Sequence, residues 1–133
     1  MNAIEHAARL LLMAEKDLQA LRSLVSPESA ADEIFGFHAQ QVVEKSLKAW
    51  LTALGGSYGR THDIRLLLRG VREFGVEVEP WLDLMELNIY AVQFRYEPLD
   101  FDTEAIDRKQ LLLDVYALFA QVDNVVKSLG TTS

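Results

Sequence analysis

Between Ser29 and Leu54 the chain carries apolar residues at Ile34, Phe35, Ala39, Val42, Val43, Leu47, Trp50, Leu51 and Leu54. On a helix these form a stripe too wide for a single neighbouring helix to cover. Such a segment has to be surrounded, so it requires a fold in which other elements pack on it from more than one side. The flanking sequence supplies them. Upstream, Ile4, Ala7, Leu11, Ala14, Leu18, Leu21 and Val25 recur at spacings of three and four, which lines one face of a helix of about six turns. Ser26-Pro27-Glu28 ends it and restarts the chain, with Ser26 as a candidate N-cap and Pro27 preset for a first helical turn. The central helix is expected to stop at Gly55-Gly56, because glycine supplies the left-handed residue that helix C-termini commonly need.

Thr61 or Asp63 can cap a shorter third helix with Ile64, Leu67, Leu68, Val71 and Phe74 on its apolar face and Arg65, Arg69 and Arg72 on its wet one. Val76 to Glu79 alternates like a strand but has no partner strand, so it reads as an extended linker. Pro80 is expected to open a fourth helix through Trp81, Leu84, Met85 and Asn88 to about Phe94, with Glu97-Pro98 breaking it. Thr103, with Glu104 and Asp107 behind it, should begin a last helix carrying Leu112, Tyr116, Phe119, Val122, Val126 and Leu129, closed by Gly130 and a short, flexible polar tail. The expectation is one all-α domain over residues 1–133, an up-and-down bundle of four to five helices.

The chain has 133 residues, a net charge of −7 and no cysteine. Absence of cysteine excludes disulfides and thiolate metal sites, and a reducing, cytoplasmic setting is the default expectation. The acidic balance argues against coating duplex DNA through bulk charge, which depends on neutralising many phosphates. A local basic patch stands out nonetheless: Arg60, Arg65, Arg69 and Arg72, with His62 among them. The apolar run Leu10–Met13 is too short, and too closely flanked by charge, for a signal peptide or a membrane span.

His38, Gln41, Lys45 and Lys48 are separated by three, four and three residues, so they fall along one face of the central helix beside the apolar stripe. That face could border a groove or a subunit contact; it could equally be solvated, with Glu44 paired to Lys48. His62-Asp63 suggests a catalytic dyad or a metal ligand pair, yet capping of the third helix explains both residues. The histidines at 6, 38 and 62 show no metal-ligand spacing, so no metal or cofactor is expected. Tyr90, Arg95 and Tyr96 could hold a phosphate in a guanidinium fork while a ring stacks on a base, or Arg95 could simply complement a helix terminus. No phosphate-cradling glycine loop, nucleophile elbow or cluster of metal-binding carboxylates is present in the sequence.

Gly36-Phe37-His38-Ala39-Gln40-Gln41-Val42-Val43-Glu44-Lys45-Ser46-Leu47-Lys48-Ala49, followed by Arg60-Thr61-His62-Asp63-Ile64 with Leu67-Leu68, and then by Arg95-Tyr96-Glu97-Pro98, resembles the HEPN (higher eukaryotes and prokaryotes nucleotide-binding) domain family in both order and spacing. The resemblance covers nearly the whole chain. It implies a helical bundle, usually homodimeric, often encoded beside a minimal nucleotidyltransferase in a toxin–antitoxin-like pair. Other members are ribonucleases marked by an Arg followed four to six residues later by His. Here Arg95 is followed by Tyr96, Glu97, Pro98, Leu99, Asp100 and Phe101, and no histidine is in reach. The resemblance therefore implies an accessory protein that binds a nucleotide, RNA or a nucleotidyltransferase partner through His38, Gln41, Lys45, Lys48, Arg60, His62, Asp63, Tyr90, Arg95 and Tyr96. The alternatives are a metal-independent endoribonuclease that uses Arg95 with His38 or His62, and an oligomerisation module with no further role.

Overall fold

The computed structural model describes residues 2–91 and 105–130. They form helices α1 (Ala3–Ser23), α2 (Asp32–Ala53) and α3 (Ile64–Arg72), a 3-10 helix (Glu79–Asn88) and helix α4 (Arg108–Gly130), with no strand among the described residues. The expected all-helical bundle is what forms. Helix α2 touches each of the other four elements, as its wide stripe demands. Its Phe35, Ala39, Val42, Val43 and Leu47 are fully buried, against Leu18 and Leu21 of α1, Ile64 and Val71 of α3 and Val115, Leu118 and Val122 of α4 in a single core. Among the described residues no helix is long and apolar enough to cross a membrane.

Several boundaries differ from expectation for identifiable reasons. Ser26 does not cap α2: the helix starts at Asp32 with Ala31 at its N-cap and no capping side chain. The Ser26 hydroxyl is instead engaged by the Glu28 carboxylate, and Ser29 turns back onto the Ser26 carbonyl. The α1–α2 connection is held by Arg108 of α4. This guanidinium is only 5% exposed; it donates to the carbonyls of Leu24 (2.8 Å), Ser26 (3.0 Å) and Ala30 (2.6 Å) and to Asp32 Oδ1 (2.9 Å), and lies over the Phe35 ring. Helix α4 begins at Arg108, with Asp107 accepting from the Gln110 amide; Thr103 and Glu104 lie outside the described residues.

The fourth helical segment is 3-10 over Glu79–Asn88 and turns α-helical at residues 89–91. Val78, Leu84, Leu87 and Tyr90 are buried and Trp81 half-buried, which is a period of three. With three residues per turn a 3-10 helix places Trp81, Leu84 and Leu87 on one stripe facing the core, with Val78 just before it and Tyr90 in the turn after it, whereas an α-helix would rotate them apart. Phe94 and the Glu97-Pro98 break fall outside the described residues. Two capping signals hold: Asp63, not Thr61, caps α3 through the Arg65 amide, and α2 ends where Gly55 adopts φ +92° and the Gly56 amide reaches the Leu51 carbonyl at 2.8 Å. Two facial assignments do not: Phe74 lies beyond α3 and is exposed, and α4 buries Val115, Leu118, Val122 and Val126 while Tyr116 and Leu129 face outward.

Candidate functional site

The polar face of α2 resolves into two rows. One contains His38 and Lys45, seven residues and so about two turns apart. Both meet Asp17 of α1: His38 Nδ1 lies 3.0 Å from Oδ1, and Lys45 Nζ donates to Oδ2 at 2.5 Å. The antiparallel run of α1 brings a single carboxylate between an imidazole and an ammonium of α2. Asp17 was absent from the sequence-level candidates, because nothing in the sequence says which turn of α1 opposes which turn of α2.

The other row is Gly36, Gln40, Glu44 and Lys48, each four residues on from the last, and Glu44 is its centre. Its carboxylate is 5% exposed and accepts from Gln40 Nε2 at 2.9 Å, from Lys48 Nζ at 3.1 Å and from His62 Nδ1 at 3.0 Å. Burial disfavours the Glu44 charge, but the bonds from Gln40 and Lys48, the Lys48 field and the His62 bond outweigh it and hold the carboxyl below its ordinary value. The Glu44–Lys48 pair expected on a solvated face is therefore buried. Gln41 extends the network by donating to Gln40 Oε1 at 2.7 Å.

Three side chains from elsewhere in the chain cover this row. At one end the Tyr90 ring lies on Gly36. In the middle sits His62, whose side chain is 64% exposed although its partner carboxylate is not; its carbonyl also accepts from Gln40. At the far end Tyr58 lies over Lys48 Nζ, 5.1 Å from the ring centroid, and its hydroxyl bonds His6 Nε2 of α1 at 2.8 Å. Burial, then the nearby Asp32 and Glu33 carboxylates, push the Tyr90 phenol above its ordinary value, so it stays neutral.

Asp63 does not join His62 in a dyad. It caps α3 and accepts from Asn88 Nδ2 at 2.8 Å, while Asn88 Oδ1 accepts from the Ile64 amide at 2.9 Å, which ties the loop carrying His62 to the 3-10 helix. Arg60 is exposed on the same loop. Arg95 and Tyr96 lie outside the described residues. The sequence-level list thus divides: Gln41, Lys48, His62 and Tyr90 meet along one row of α2, His38 and Lys45 meet at Asp17, and Asp63 braces the loop. Glu44 was read only as the partner of Lys48 on a solvated face, and Gln40, Tyr58 and His6 were missed, although the spacing of four between Gln40, Glu44 and Lys48 was a readable signal for Gln40.

Chemically, an ionised Glu44 can only accept, so His62 Nδ1 must donate to it and Nε2 becomes the nitrogen that a ligand or solvent meets. Lys48 and Gln41 lie on either side of the same carboxylate network. Among the described residues no group of three or more His, Asp or Glu is placed to hold a metal ion.

The model of one protein family, described as the HEPN domain, matches residues 7–125. That span contains both rows of α2 together with His62 and Tyr90. Neither the comparison with curated proteins nor that with solved structures found a match.

Proposed function

The chain belongs to the HEPN domain family, and from that premise we propose that it is a non-catalytic, accessory HEPN protein. In this reading it acts as a homodimer that binds a nucleotide, or a minimal nucleotidyltransferase partner, in a toxin–antitoxin-like pair. The binding surface is the exposed His62 and the half-buried Gln41, held by the buried row of Gln40, Glu44 and Lys48 beneath them and joined by the exposed Arg60, with Arg95-Tyr96 as further proposed contacts. The observation that carries the reading is Glu44: a buried carboxylate that fixes Lys48 and His62 in place before any ligand arrives, which lowers the ordering cost of binding. Calorimetric titration of the purified protein with ATP, GTP and a short RNA, together with capture of a nucleotidyltransferase from its own genomic neighbourhood, tests it. Binding to one of them, weakened by His62→Ala, supports the proposal; no heat with any of the three and no captured partner refutes it.

A second reading, a metal-independent endoribonuclease, draws on the exposure of His62 and on the carboxylate behind its ring, which suits a general base. RNA cleaved in EDTA by the wild type, and spared by Arg95→Ala and His62→Ala, would favour it over the accessory role. Intact RNA with wild-type protein excludes it.

A further inference from the structure

The arginines of α3 take no part in the α2 row. Arg65, Arg69 and Arg72 recur along one face of the helix and, with Leu68, Glu73, Val78, Leu82 and Met85, line a groove of about 500 Å³ between α3 and the 3-10 helix. All three are exposed. Arg65 has only a loose partner in Asp63 at 4.0 Å, and among the described residues no carboxylate stands within ion-pairing distance of Arg69 or Arg72. Three guanidiniums therefore stand in a row about 10 Å long on a chain whose net charge is −7.

The composition of the groove selects its occupant. No aromatic side chain lines it, so it has no platform for stacked bases, and a nucleic acid would use the arginines while leaving the half-buried Leu82 and Met85, which lie over the buried Leu68 and Val78, uncovered. An amphipathic helix with acidic residues at i, i+4 and i+7 repeats the pitch of Arg65, Arg69 and Arg72, and its adjoining apolar stripe covers the aliphatic wall. Met85 adds an adaptable contact for such a stripe. We infer that this groove docks an acidic amphipathic helix of a partner protein, held by guanidinium–carboxylate forks and an apolar floor. The site lies apart from the α2 row and stands or falls independently of nucleotide binding there.

Selection of a displayed random-peptide library on the intact chain tests this, with counter-selection on Arg69→Glu/Arg72→Glu, two exposed positions whose replacement leaves the core untouched. The expected result is enrichment of peptides that combine Asp or Glu with Leu, Ile or Met at helical spacing. Fluorescence anisotropy should then show their affinity falling at least about tenfold on the double variant, while circular dichroism and nucleotide titrations stay unchanged. Three outcomes overturn the inference: no enrichment, or enriched peptides without carboxylates; undiminished binding to the variant; and a homopolymer RNA or a second copy of the chain binding through Arg69 and Arg72 in place of peptide, seen by anisotropy or sedimentation velocity.

Discussion

A Cβ built on Gly36 would stand 2.5 Å from Cδ1 of Tyr90, so the aromatic ring rests directly on the backbone of α2. In an exposed helix Gly→Ala gains about 1 kcal/mol from propensity. Gly36→Ala is expected to do the opposite and destabilise the fold by about 1–3 kcal/mol, as overpacking does in a close-packed interior. Urea unfolding measures it. In a Tyr90→Ala background, where the ring is gone, the same glycine replacement should become neutral or stabilising; a stabilising Gly36→Ala in the wild type would contradict the contact.

Glu44 makes stability depend on acidity. Its folded-state value lies below the ordinary 4.5, so the native state favours the ionised form over the unfolded chain. The stability this contributes is complete above the ordinary value and is lost as pH falls through the lower, folded one. Glu44→Gln should lose about 1–3 kcal/mol at neutral pH, because Lys48 and His62 are left beside a neutral amide. It should also show a shallower decline of stability below pH 4.5 than the wild type. Urea midpoints across that range check both parts.

Arg108 ties the α1–α2 connection to α4. Replacing it by Ala removes the shared donor of the Leu24, Ser26 and Ala30 carbonyls, while Asp32, 29% exposed, keeps the Ile106 amide; the expected loss is about 3 kcal/mol, from the carbonyls that lose this donor. Arg108→Lys should recover little, since an ammonium cannot span the same fork of acceptors. Thermal melts of both variants, with wild-type-like stability as the contradicting result, decide it.

The bundle was legible in the sequence because its cause is local: a wide apolar stripe in α2 and a narrower one at three-and-four spacing in α1 each fix which face is buried, whereas in α4, where apolar residues nearly encircle the helix, the reading through Leu112, Tyr116 and Phe119 lay to one side of the buried Val115, Leu118, Val122 and Val126. The 3-10 segment was legible in principle too, since Val78, Trp81, Leu84, Leu87 and Tyr90 repeat every three residues, but Pro80 reads as the start of either kind of helix. Arg108 was not legible, because its partners lie about eighty residues away in the sequence and only the antiparallel return of α4 brings them together. The candidate site shows the same division. Gln40, Glu44 and Lys48 share a row by spacing alone, whereas the approach of Asp17, His62, Tyr58 and Tyr90 depends on the register between elements, which no local pattern encodes.

The same register underlies a prediction about the second row. Asp17 holds both His38 and Lys45 at the α1–α2 contact, and all three side chains are partly exposed, at 14, 29 and 20%. Asp17→Asn should therefore cost only about 1 kcal/mol or less, with the loss shrinking at high salt. A penalty several times larger and insensitive to salt would mean that this cluster carries more of the fold than its exposure indicates.

Ligand is proposed to bind at the exposed His62 and the half-buried Gln41, the side chains that the buried Gln40, Glu44 and Lys48 row of α2 holds in place. The most direct test of this binding surface is amide chemical-shift mapping on isotopically labelled protein titrated in turn with ATP, GTP, a short RNA and the captured partner. The account predicts that the perturbations produced by whichever of these binds cluster at Gly36–Lys48 and Tyr58–Asp63 and disappear in His62→Ala. Perturbations confined to other surfaces, or none with any of the four, would contradict it.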